Sequence, residues 1–261
     1  MKKISYTFFL LIFLLTACAA DMKMQKRRME DKRNIAGAFI GQKNYTEALK
    51  ELLEAEKLYA DDPYLQNDLG FVYMERGKSD LAIQHFKRAL ALKSDYSDAK
   101  NNLGVAYMKN EQWGEAIACF KELSENLLYA TPQNPLFNLA WAYYQKKDFA
   151  QSEKYYKKVL GLYDDGLNKD AVYIKSLHGL GLNHMATGRI QEAIVVLEKA
   201  VQLAPRIPEL FFDLGRVYTS VQEYPKALKA YNKVVELIPD RPLAREAAKA
   251  AEEIKRTYNL K

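Results

Sequence analysis

Side chains that could bind a metal, or act as nucleophile and base, are sparse in this chain, and their spacing suits neither task. There are three histidines and two cysteines in 261 residues. His178 and His184 stand six positions apart, a turn of about 240° around a helix, so they cannot grip one ion together. His85 lies among charged neighbours and reads as a solvated surface residue. No HExxH motif, no cysteine pair at zinc spacing and no glycine-rich phosphate loop occurs. Asp164-Asp165-Gly166 opens like a calcium loop but lacks the alternating oxygen ligands and the closing glutamate, so a turn between helices is expected there. Glu252 and Glu253 fall on a polar helix and need no catalytic role. The expectation is a protein that is not an enzyme and holds neither a metal nor a dissociable cofactor.

What the sequence does carry is a repeat. Gly70 and Gly104 are 34 residues apart, as are Gly181 and Gly215. Each is followed twelve positions later by another small residue, at Ala82, Ala116, Ala193 and Ala227. A bulky apolar residue stands four after each alanine: Phe86, Phe120, Leu197 and Tyr231. Two antiparallel helices can approach closely only where neither presents a large side chain, and the large residues one turn away fill the flanking space. Helices of a dozen residues are marginal alone in water, and one pair cannot bury its apolar stripe, so several pairs must stack.

The run Asn102-Leu103-Gly104-Val105-Ala106-Tyr107, with Ala116-Ile117, Phe120 and Leu123, resembles the tetratricopeptide repeat. The resemblance covers residues 29 to 241, with units starting near Met29, Pro63, Ser97, Gln133, Ile174 and Pro208. On this phasing the eighth positions (Ala36, Gly70, Gly104, Ala140, Gly181, Gly215) and the twentieth (Ala48, Ala82, Ala116, Ser152, Ala193, Ala227) are all small. The resemblance implies an all-α fold, a right-handed superhelical solenoid of six helix-turn-helix repeats with a capping helix over residues 242–261. His184 replaces the usual aromatic, and extra residues at Thr131-Pro132 and over 167–173 predict a kink or division of the array. Cys119, inside the second helix of the third unit, is expected to be a buried thiol acting as a small hydrophobe.

The formal charge is +6, and basic residues are interspersed with acidic ones, which gives no case for nucleic acid. The basic stretch Lys23, Lys26, Arg27, Arg28, Lys32 and Arg33 reads first as a solvated helix start and second as an attraction to anionic lipid head groups. At the amino terminus, Lys2 and Lys3 precede an apolar run from Phe8 to Leu15, which is too short for a membrane span of roughly 20 residues but suits a secretory signal over residues 1–17. The run ends in Leu15-Thr16-Ala17-Cys18, which resembles the lipobox of bacterial lipoproteins. That resemblance implies acylation of the Cys18 thiol, a lipidated tether over residues 18–28, and, with Ala19 rather than Asp next in line, an outer-membrane address on the periplasmic face of a Gram-negative bacterium.

In the tetratricopeptide family the first helix of each pair lines the binding face. Carried onto this chain, the lining residues are Asn67, Phe71, Met74, Asn101, Val105, Met108, Phe137, Trp141 and Tyr144, continued by Leu182 and Met185. Aromatic and Met side chains offer large, adaptable contact area, and Asn amides can bond a peptide backbone. A chaperone-tail clamp is not expected, because the Lys and Asn it needs are absent from their positions. Lipobox, tether, six repeats and cap together resemble the pilotin lipoproteins of type IV pilus systems. That resemblance implies a protein partner, the outer-membrane secretin subunits, whose localisation and ring assembly the protein promotes. A periplasmic adaptor or scaffold for cell-wall enzymes, proteases or polysaccharide export remains open beside it.

Overall fold

The computed structural model describes the backbone of residues 2–125, 131–163 and 169–258, with side chains from Ala20 onward in those ranges. Among the described residues there are thirteen helices and no strand. The chain forms two compact units, Met1–Cys119 and Phe120–Lys261. In the first, α1 (Lys2–Gly41) pairs with α2 (Tyr45–Leu58), α3 (Pro63–Glu75) pairs with α4 (Ser79–Leu92), and α5 (Ser97–Lys109) packs on both α3 and α4. The boundary falls inside α6 (Trp113–Glu125), the helix directly ahead of Thr131-Pro132. In the second unit α7 (Gln133–Gln145) pairs with α8 (Phe149–Leu160), α9 (Ala171–Ala186) with α10 (Ile190–Leu203), and α11 (Pro208–Ser220) with α12 (Tyr224–Leu237). The last helix, α13 (Pro242–Tyr258), lies on α12 and buries Ala244, Ala247, Ala251 and Ile254.

One turn recurs between paired helices. Among the described residues six have left-handed backbone: Lys43, Gly77, Glu111, Lys147, Gly188 and Gln222. One residue later in each turn, a backbone N–H donates to the carbonyl five residues before it. The six bonds are Asn44 to Phe39, Lys78 to Tyr73, Gln112 to Tyr107, Asp148 to Tyr143, Arg189 to His184 and Glu223 to Tyr218, all at 2.9 Å. This closure satisfies a carbonyl that the ending helix would leave without a partner. Only two of the six left-handed residues are glycine, so the turn is imposed by the packing of the helices on either side rather than by local preference.

The close approaches fall where the small residues sit. A Cβ added at Gly70 would lie 2.7 Å from Phe86, and one at Gly215 would lie 2.7 Å from Tyr231. Phe86 and Phe120 are fully buried, and each such ring contributes about 1.5–3 kcal/mol relative to exposure. The helix starts are fixed by side-chain caps in several places. Asp62 accepts from the Leu65 N–H at 2.9 Å with Pro63 in the first turn, and Asp170 accepts from Val172 and Tyr173.

Residues 20–28, expected as a polar tether with little to bury, are exposed and belong to α1, a 40-residue helix. The run Ala-Ala-Asp-Met-Lys-Met-Gln-Lys-Arg-Arg that ends at residue 28 has no Pro or Gly, and its strong helix formers give the helix no place to stop. Cys119 is half-buried rather than buried. His85 is not a solvated surface residue. It is half-buried, stacks on Tyr73 at 5.2 Å between ring centres, and its Nδ1 donates to Gln66 Oε1 at 2.7 Å. Burial pushes its pKa down. The side chain of Cys18, together with Asp164, Asp165 and Gly166, lies outside the described residues. No helix among the described residues is long and apolar enough to cross a membrane.

Candidate functional site

In the first unit Asn67, Phe71 and Met74 share one face of α3 at intervals of four and three, and Asn101, Val105 and Met108 repeat that spacing on α5. Asn67 and Met74 are only 8% and 5% exposed, which corrects their place in an open lining strip. Asn67 is used up inside the protein: its Oδ1 accepts from Asn102 Nδ2 at 3.0 Å and ties α3 to α5. Phe71, Asn101, Val105 and Met108 remain half-buried. Phe71 meets the edge of the Tyr45 ring at 6.4 Å, and the Tyr45 hydroxyl donates to Glu75 at 3.3 Å. The Asn101 Oδ1 is buried without a hydrogen-bond partner. An incoming N–H would satisfy that carbonyl at little desolvation cost, because the cost is already present in the fold.

In the second unit Phe137, Trp141 and Tyr144 line α7, all half-buried. Trp141 and Tyr144 stack at 5.4 Å, Tyr144 meets the edge of Phe149 at 5.6 Å, and Phe137 tilts against the buried Tyr156 at 6.0 Å. This is a rigid aromatic platform that needs little ordering when something is laid on it. Beside it stands a charged group that reading the sequence did not single out. Asp213 on α11 is 8% exposed and holds His178 Nε2 at 2.7 Å and Arg216 Nη1 at 2.9 Å. Burial, then the Asp213 carboxylate, raises the Tyr144 pKa, and Arg216 opposes the rise. The Asp213 carboxylate therefore orients an imidazole and a guanidinium close to Tyr144, where the remaining guanidinium N–H groups can meet acceptor groups of a ligand.

The signal for that group was present in the spacing. His178 and Asp213 are 35 residues apart, and so are Asn67 and Asn102. Both are the fifth position of one repeat reaching the sixth of the next. Fifth positions therefore serve partly as cross-repeat ties and not only as ligand contacts.

Among the described residues one group of potential metal ligands comes together: Glu153, His184 and Glu192, with donor atoms within 4.8 Å of one another. It fits a divalent ion poorly. Arg189 binds Glu153 with both terminal nitrogens, at 3.1 and 2.5 Å, and Lys157 adds a third contact at 2.6 Å. Arg189 in particular holds the Glu153 carboxyl down to about 2. Positive charge is thus already supplied, and an ion would have to displace Arg189 to reach its ligand.

Profiles described as TPR repeat and tetratricopeptide repeat match residues 72–111, 95–165, 129–206 and 184–251 of the chain. Among solved structures, that of PilW, a widely conserved type IV pilus biogenesis factor, is similar with a TM-score of 0.75 and 16% identity, covering 84% of this chain and 98% of that one. The structure of Pseudomonas aeruginosa pilF is similar with a TM-score of 0.69 and 17% identity, covering 86% and 98%. The BBSome complex member BBS4 of Bos taurus is 24% identical over 250 residues, which are 85% of this chain and 47% of that protein. The chain thus spans about half the length of that curated relative. At these identities the likenesses speak for the fold.

Proposed function

The chain belongs to the tetratricopeptide-repeat family, and from this premise we propose that it is an outer-membrane lipoprotein, anchored through Cys18, which binds secretin subunits and promotes their localisation and assembly for type IV pilus biogenesis. The observation that carries the reading is the fold likeness to PilW and pilF, each covered over 98% of its own length. Those two chains are accounted for almost end to end, and the first is described as a pilus biogenesis factor. A thiol behind a short apolar run adds the anchor. In this reading the lipid supplies the membrane address and the repeats supply a stiff protein-binding face. No catalytic step and no cofactor beyond the covalent lipid enters.

Deleting the gene tests it. Loss of heat- and detergent-resistant secretin multimers and of surface pili is expected, with cell-wall turnover unchanged. Persisting multimers together with altered septation or wall hydrolysis would transfer the protein to the adaptor class. Cys18→Ser should release the protein from membranes, and retention of that variant would remove the lipid anchor. Trp141→Ala should weaken client binding without unfolding the repeats, and an unchanged affinity would remove Trp141 from the binding face.

A further inference from the structure

A concavity of the second unit lies away from the aromatic platform. It is a trough of about 1080 Å³ in which α10 and α12 flank α11. Its floor is apolar, formed by Val201, Phe211, Leu214 and Leu228. On α11 the floor residues Phe211, Leu214 and Tyr218 occupy a different side from Phe212, Arg216 and Thr219. At 100° per residue the two rows are separated by roughly 140° around the helix. An occupant of the trough would therefore leave the platform face free.

The rim gives the chemistry of the occupant. Four lysines border the trough: Lys226, Lys229, Lys233 and Lys255. The two bordering glutamates are both engaged: Glu198 accepts from the Tyr218 hydroxyl, and Glu236 pairs with Lys233 at 2.6 Å. Lys226 reaches the exposed Glu223 at 3.6 Å and lies over the Tyr218 ring, 5.4 Å from its centre. Among the described residues, Lys229 and Lys255 take part in no ion pair, and both are exposed. Apolar floor and cationic rim complement a segment with an apolar stripe flanked by carboxylates. The trough also runs along α12 from Pro225 to Glu236, about 16 Å at 1.5 Å per residue, the length of three helical turns.

We propose that this trough is a second docking site, and that it takes an acidic amphipathic helix of a protein partner. It stands whether or not the client of the platform face is a secretin. The probe is a fluorescein-labelled helical peptide with Leu at i, i+3, i+4 and i+7 and Glu on both flanks, and the control carries Lys in place of Glu. Binding to the full chain is read by fluorescence anisotropy at low and high salt. Saturable binding of the acidic peptide is expected, weakening with salt. Lys229→Glu combined with Lys255→Glu, both at exposed positions, should weaken it by about 10-fold. Trp141→Ala should bind as the wild type does. Equal binding of the lysine peptide, an unchanged affinity in the double reversal, or loss of binding in Trp141→Ala would overturn the proposal. So would capture of anionic phosphatidylglycerol vesicles by the same lysines without any binding of the acidic peptide, which would make the trough a membrane contact.

Discussion

Replacing Gly70 by alanine adds one methyl group where α3 crosses α4, and two opposed effects decide the outcome. Alanine is favoured over glycine inside a helix by about 1 kcal/mol. Against this, the new Cβ would lie 2.7 Å from two ring carbons of Phe86 and 3.0 Å from a third, where ordinary carbon contacts need about 3.5–4.0 Å. Phe86 is fully buried and cannot swing into water, so the ring must be forced outward by nearly an ångström. Overpacking of this kind costs about 1–3 kcal/mol. The net expectation is destabilisation by about 1 kcal/mol. Gly37 is the control: it also lies in a helix, but nothing stands within 4 Å of its Cβ position. Gly37→Ala should therefore gain about 1 kcal/mol, which sets the two identical replacements apart by about 2 kcal/mol. Urea unfolding followed by far-ultraviolet circular dichroism reads both midpoints. Adding Phe86→Leu to Gly70→Ala should recover part of the loss by removing the ring. If Gly70→Ala stabilises as much as Gly37→Ala, the crossing is not set by the missing side chain and the reasoning fails.

Lys147 has a left-handed backbone at φ 62°, so Lys147→Gly should raise the thermal midpoint by about 1 kcal/mol of stability, and a lowered midpoint would count against the turn geometry. Tyr156 is fully buried and its hydroxyl has no hydrogen-bond partner. Tyr156→Phe should therefore leave urea stability unchanged or raise it by about 1 kcal/mol, and a clear loss would reveal a missed partner. Burial raises the Asp68 carboxyl from 3.8 to about 6, with Arg33 opposing. The folded chain then holds a proton that the unfolded chain has lost, so this residue's contribution to stability falls as pH climbs from about 4 to about 6 and stays low above. Asp68→Asn should accordingly be more stable than wild type near neutral pH and equal to it near the lower end of that window. An advantage independent of pH would refute the assignment.

The sequence-legible part of this protein is the part governed by contacts within one helix pair. The spacing from Gly70 to Phe86, and from Gly215 to Tyr231, directly encodes a crossing, because the small and the large residue touch each other. What escaped notice depends on contacts between successive pairs. Asn67 reads as a ligand-facing amide until Asn102 is placed beside it, and His178 reads as isolated until Asp213 arrives from the next repeat. His85 is an exception inside a pair: it looks solvated among charged neighbours along its own helix, yet Tyr73 and Gln66 enclose it from the partner helix α3. Over residues 20–28 the sequence is legible in part: a polar composition says that a segment buries little and leaves its backbone open, and these residues are exposed and helical at once.

That exposed stretch has a geometric consequence for anything attached at its amino end. A coiled leash would tolerate the loss or gain of residues with no change in which way the repeats face. A helical strut does not, since each residue removed draws the ends together by about 1.5 Å and also swivels them by about 100°. Deleting one residue between 20 and 28 would point the first pair in a new direction, whereas deleting seven, close to two full turns, would shorten the strut and restore almost the original bearing.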